Sequence, residues 1–162
     1  NWTTKRIQDC NDYASSKNII GMSGSSPQFS LAKAKEPYWP DTVVTDDKDK
    51  KWFEENNFLL VAWSSLGRGF FAKGEKNFTE DQDLVRVFYS EENFERKRRA
   101  IELADKKNVS MYEIAVAYAI NQKFPVVALT GAATPEEVTI NTKAGSLILS
   151  DEEINWLDLT TN

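Results

Sequence analysis

Apolar positions along the chain fall into short unbroken runs separated by longer amphipathic stretches. The strongest run, Phe58-Leu59-Leu60-Val61-Ala62-Trp63, carries no charge. Its bulk predicts a strand buried on both faces, as in a parallel sheet covered by helices. Pro125-Val126-Val127-Ala128-Leu129 reads as another buried strand, and Ile19-Ile20-Gly21-Met22-Ser23 as a short one that runs into a polar end or loop over residues 24–30. Between these runs the spacing is helical. Thr3 or Thr4 can cap a helix to about Ser16, with Ile7, Cys10, Tyr13 and Ala14 along one face. The charged residues 46–51 open a helix that buries Trp52 and Phe53 and stops near Asn56. Ser90 caps a helix carrying Phe94, Ile101 and Ala104 inward. Ser110 with Glu113, Thr134-Pro135 with Glu137, and Ser150 with Glu153 give three further helix starts, each with a glutamate three residues after the cap. Residues 31–45, with Pro37 and Pro40, predict an irregular crossover, and residues 72–87 a long loop. Strands alternating with helices predict right-handed βαβ units and a parallel sheet, hence an α/β fold.

Composition narrows the function classes. A chain of 162 residues is long enough for one domain with its own core, taken as residues 1–162. No apolar run approaches the ~18–20 residues that span a bilayer. The net charge of −5 argues against nucleic acid or an anionic membrane as partner. The basic run Arg96-Lys97-Arg98-Arg99 lies among Glu91, Glu92, Glu95 and Glu102 and reads as a solvated helix face. A single cysteine, Cys10, excludes an internal disulfide, fits a reducing, cytoplasmic setting, and packs better than it serves as a nucleophile. Histidine is absent, so the chain holds no Ser-His or Cys-His nucleophilic pair and no histidine metal ligand. The chain opens on Asn1-Trp2, without methionine and at the edge of a helix, which suggests a piece of a longer protein.

The candidate chemistry follows the strands. After Trp63 come Ser64-Ser65-Leu66-Gly67-Arg68-Gly69, and after Leu129 come Thr130-Gly131-Ala132-Ala133. Small polar loops at the ends of buried parallel strands are where α/β proteins receive phosphorylated ligands: glycine lets the backbone approach, and amides and an arginine can meet an anion. An ordinary strand-to-helix turn has the same composition, and Trp63 alone reads as a core aromatic.

Four segments in order carry a more specific signal: Asn1-Trp2 heading its helix, residues 19–30, the strand with SSLGRG, and the strand with LTGAATPEE followed by Asn141. Together they resemble strands five to eight, the C-terminal half, of the aldo-keto reductases. The resemblance implies half of a (β/α)8 barrel and an NAD or NADP coenzyme at the C-terminal ends of the strands. It places Asn1 and Ser26 at the nicotinamide carboxamide, Ser26 standing where many members have glutamine. It places Trp63 where an aromatic stacks on the nicotinamide ring. Ser64, Leu66 and Arg68 match the pyrophosphate loop, Asn141 an adenine contact, and Gly131, Ala132, Ala133 and Glu137 the surroundings of the adenosine 2′-phosphate. None of these last positions is basic, so the expectation is weak discrimination between coenzymes or a preference for NADH.

The family's catalytic Asp, Tyr, Lys and His belong to earlier strands, and none of the tyrosines here matches that position. The chain is therefore expected to be the coenzyme-binding part of a carbonyl reductase, inactive alone and completed by the missing half or a second copy. The alternative is a catalytically silent half-barrel that binds a nucleotide or a partner.

Overall fold

The computed structural model describes residues 2–161. The elements are α1 (Thr4–Ser16), β1 (Gly24–Ser25), α2 (Asp47–Glu55), β2 (Leu59–Ala62), a 3-10 turn (Gly67–Gly69), α3 (Phe70–Lys73), α4 (Gln82–Phe88), α5 (Glu91–Lys107), α6 (Met111–Ile120), β3 (Val126–Ala128), α7 (Pro135–Ala144) and α8 (Asp151–Leu157). The strands form one parallel sheet in the order β1-β2-β3, with Gly24 opposite Leu59 and Leu60 opposite Val126. No helix of the described residues is long and apolar enough to cross a membrane.

Local chemistry fixes the helix starts. Thr3 accepts from the Arg6 amide at the head of α1, and Asp46 with Asp49, Ser110 with Glu113 and Ser150 with Glu153 form reciprocal capping boxes. Each such box satisfies amides that the helix leaves without partners. Asn108 ends α5 in the left-handed conformation, a place asparagine tolerates better than most residues.

The core lies on the helix-covered side of the sheet. Leu60 and Ala62 of β2 are fully buried there with Phe29, Phe53, Ile114 and Tyr118. Phe53 stacks on Phe124 with ring centroids 5.4 Å apart. The other face is open. Leu59 and Val61 are half-buried, and Val127 and Leu129 are 48% and 49% exposed. This corrects the expectation that residues 58–63 and 125–129 are buried on both faces: a three-stranded parallel sheet has one helical layer and cannot close on itself.

Other expectations also change. Residues 19–23 form no strand: Ile20 is 98% exposed, and the Met22 amide and carbonyl are both taken by the Asn11 side chain, at 2.7 and 3.1 Å. Pairing starts at Gly24, where an added Cβ would lie 3.3 Å from the Leu59 carbonyl. Within residues 72–87 the structure adds α4, capped by Asp81 and burying Leu84, Val87 and Phe88. Ile101 faces solvent, and the basic run is not a solvated face: Arg96 and Lys97 are buried. The Lys97 ammonium donates to the Gly74 carbonyl at 2.9 Å and to Glu75 at 2.8 Å.

Gly74 is itself closely enclosed. A Cβ there would lie 2.4 Å from the Phe70 carbonyl oxygen and 2.6 Å from the Phe70 ring. Gly74→Ala is expected to lower stability by about 2 kcal/mol through overpacking, read as a lower urea midpoint with an unchanged slope.

Candidate functional site

A cleft of about 480 Å³ opens beyond the C-terminal ends of β2 and β3. One wall is the turn after β2, contributing Ser64, Ser65, Leu66, Arg68 and Gly69. The facing wall comes from Leu129, Thr130 and Gly131 after β3 and from Glu137, Ile140 and Asn141 of α7; Phe71, Ala72 and Tyr112 close the floor. Two segments far apart in sequence thus meet at one site because β2 and β3 are hydrogen-bonded neighbours. The buried Ser65 hydroxyl ties the walls together by donating to the Leu129 carbonyl at 2.8 Å.

The turn after β2 winds through left-handed backbone, with φ of 54° at Ser64, 60° at Gly67, 55° at Arg68 and 91° at Gly69. Left-handed geometry at Ser64 and Arg68 is costly for side chains bearing a Cβ, which makes this a sharply specified turn. An added Cβ at Gly69 or Gly131 would meet nothing within 4 Å, so at both lips the backbone stands open to a ligand. On the far wall Thr134 caps α7, accepting from the Glu137 amide at 3.2 Å, while the Glu137 carboxylate accepts from the Ala133 amide at 2.6 Å. Glu137 is thereby committed to the helix start. Asn141 donates to the Gly131 carbonyl at 3.4 Å.

Ser26 and Trp63 sit beside the cleft rather than in its lining. The Ser26 hydroxyl donates to the Val61 carbonyl at 2.9 Å, and the Trp63 indole N–H donates to the Ser26 carbonyl at 3.0 Å. The Trp63 ring lies 5.6 Å from that of Trp39. Ala132 is exposed on the loop next to Gly131. Asn1 lies outside the described residues, and Trp2 belongs to no strand, its ring sitting 4.1 Å from the Arg6 guanidinium.

The description "Aldo/keto reductase family" belongs to the family profile that matches residues 1–160. The chain belongs to the aldo/keto reductase family. Among curated proteins it is 30% identical to versiconal hemiacetal acetate reductase of Aspergillus parasiticus over 114 residues, 64% of this chain and 32% of that protein. It is 29% identical to norsolorinic acid reductase A of the same species over 105 residues, 65% of this chain and 26% of the relative. Among solved structures, a thermostable aldo-keto reductase in complex with the inhibitor epalrestat superposes with a TM-score of 0.61 at 25% identity. That match covers 93% of this chain and 44% of the other. The matches thus span about a quarter to under a half of these relatives' own lengths. The fold is accordingly part of an aldo/keto reductase α/β barrel, with helices on its outer side and the inner side of the sheet uncovered.

Sequence reasoning missed Tyr112, Leu129 and Ile140 of the cleft. Tyr112 stands in the first turn of α6, and the capping box at Ser110 located the helix without telling which way its first turn faces. A second concentration of ionisable groups lies in the core, away from the cleft. Asp158 accepts from the Tyr118 hydroxyl and from the Lys50 ammonium, both at 2.6 Å, with Lys33 at 3.5 Å.

Proposed function

We propose that residues 1–162 form one partial domain, the C-terminal, coenzyme-binding half of an NAD(P)-dependent carbonyl reductase of the aldo/keto reductase family. The observation that carries the reading is the meeting of the residue 64–69 turn with Gly131, Glu137 and Asn141 around one cleft. Its volume suits the adenosine and diphosphate part of a dinucleotide, and the open glycines on both walls fit a ligand that presses against backbone. Arg68 is the cation suited to the diphosphate, and α7 begins beside it with the positive end of its dipole. Gly131, Ala132, Glu137 and Asn141 would surround the adenosine, with Trp63, Ser26 and Asn1 toward the nicotinamide. A bound nicotinamide dinucleotide would supply the hydride; these residues hold and orient it. Both curated relatives are named as reductases, which supports a carbonyl carbon, free or released by opening of a hemiacetal, as acceptor. One unpaired cysteine favours a cytoplasmic setting.

Calorimetric titration of the chain with NADH, NADPH and ADP-ribose tests the reading. Binding of all three is expected, with Arg68→Ala and Asn141→Ala each weakening it about tenfold, the effect of a lost charge-assisted or well-placed hydrogen bond. Absence of binding by the unsubstituted chain would sink it. The affinities for NADH and NADPH are expected to lie within tenfold of each other. Gly131, Ala132 and Ala133 offer no cation for a 2′-phosphate, and the Glu137 carboxylate is held at the Ala133 amide beside that position. More than tenfold preference for NADPH would overturn this part.

A further inference from the structure

We propose that Tyr38 and Trp39, in the crossover between β1 and α2, are positioning residues for Arg68: they hold its guanidinium at the lip of the cleft, ready for the phosphate groups of a bound ligand. The inference rests on the dinucleotide reading of the cleft. The guanidinium carbon lies 4.7 Å from the Tyr38 ring centre and 4.8 Å from that of Trp39. The two rings are 4.7 Å apart at an interplanar angle of 64°, so they form a corner into which the cation fits. Aromatic contact engages the guanidinium by its π surface and leaves the in-plane N–H donors for an anion. Among the described residues no carboxylate lies within ion-pair distance of Arg68, in contrast to Arg86, Arg98 and Arg99.

The platform is braced from behind. Arg86 of α4 donates to the Tyr38 carbonyl at 3.1 Å and to the Pro37 carbonyl at 3.3 Å, and it pairs with Glu36. The Thr42 hydroxyl donates to the Trp39 carbonyl at 2.8 Å. On its other side Trp39 meets Trp63, so the same indole touches the ring proposed for the nicotinamide and the cation proposed for the diphosphate. An arginine in left-handed backbone between two left-handed glycines is an expensive choice at this turn, and the platform supplies a reason for it: a charge held in place meets a phosphate with less loss of side-chain freedom than a mobile one.

A double-mutant cycle with ADP-ribose as the probe tests this by calorimetry. Trp39→Ala is expected to weaken binding about fivefold and to flatten its salt dependence, Arg68→Ala to weaken it about tenfold, and the double variant to bind no more weakly than Arg68→Ala alone. Trp39→Phe, which keeps an aromatic face, is expected to restore near-original affinity. Tyr38→Leu in the same cycle replaces Trp39→Ala if that variant shows a cooperative unfolding transition well below the parent's. A loss from Trp39→Ala that persists in full on the Arg68→Ala background overturns the proposal while leaving the dinucleotide reading intact. Failure of the unsubstituted chain to bind ADP-ribose overturns both.

Discussion

Replacing Asp158 by alanine is expected to lower the stability of the chain by about 3 kcal/mol and to weaken its acid sensitivity. The Asp158 carboxylate is buried, and it accepts from the Tyr118 hydroxyl and the Lys50 ammonium while its own backbone carbonyl lies 3.5 Å from Arg96. Tyr118 is fully buried, so alanine at residue 158 strands its phenol and the Lys50 ammonium, while the backbone carbonyl that meets Arg96 remains. Breaking a buried pair in this way costs about 3–5 kcal/mol. Lys50 keeps some access to solvent, which places the loss at the lower end. The pH dependence follows from the same contacts. Burial pushes the Asp158 carboxyl up, but Lys50, the Tyr118 hydrogen bond and Lys33 together outweigh it and hold the group below the ordinary carboxylate range. A carboxyl more acidic in the folded than in the unfolded chain contributes stability above its unfolded value, about pH 4, and loses it as pH falls through the folded one. Burial, and then the neighbouring Asp158 charge, push the Tyr118 phenol up. Its contribution is therefore full below about pH 10 and fades as pH rises beyond. The urea midpoint of the parent chain is expected to drop on both flanks, and that of Asp158→Asn or Asp158→Ala to drop less on the acid flank, where Glu95, held down by Arg98 and Arg99, still contributes. An unchanged acid flank in both variants would mean that other carboxylates govern it.

That network also marks the limit of what the sequence conveys. Caps were legible because their chemistry is local: a Ser or Thr and a Glu three residues apart suffice to place the starts of α6, α7 and α8. The strand of residues 59–62 and the glycine turn behind it were legible because bulk and small residues follow one another directly. Arg96 and Lys97 were not, because the groups that let them be buried, at Asp158 and Gly74, are distant in sequence. The open face of the sheet was legible from the half-barrel rather than from the strands themselves: alternation puts Val61 and Val127 on one side, and so few strands cannot close to cover it. In the cleft, loop composition brought residues 64–69 and 130–133 into view, and the family resemblance singled out Ser64, Leu66, Arg68, Gly131, Glu137 and Asn141. Tyr112 and Ile140 come from helices whose rotation only packing decides, and the Tyr38–Trp39 platform comes from a crossover without periodicity.

This chain by itself is expected to reduce no aldehyde at a measurable rate. Delivering hydride to a carbonyl leaves an alkoxide that needs a proton donor and a polar cradle, worth about 10²–10⁴ and 10²–10³ in rate respectively. Histidine is absent, and four of the five tyrosines are spoken for or misplaced. Tyr118 is sealed against Asp158, Tyr89 donates to the Phe78 carbonyl, Tyr38 lies against Arg68, and Tyr13 is on the exposed side of α1. Tyr112 lines the cleft, but at the end proposed for the adenosine and diphosphate. The sheet adds a second reason. Val127 and Leu129 are each about half exposed on its uncovered face, and a closed (β/α)8 barrel packs that side with side chains from the other strands. A substrate next to Trp63 would therefore sit in water, where a fixed dipole stabilises charge poorly. The open face and strand edge should instead recruit a partner, either the complementary half of the barrel or a second copy. Light scattering is expected to show self-association at high concentration, and coenzyme oxidation with 4-nitrobenzaldehyde is expected to stay at background. Steady turnover by a preparation freed of other reductases would place a proton donor within residues 1–162 and make Tyr112 the first side chain to replace.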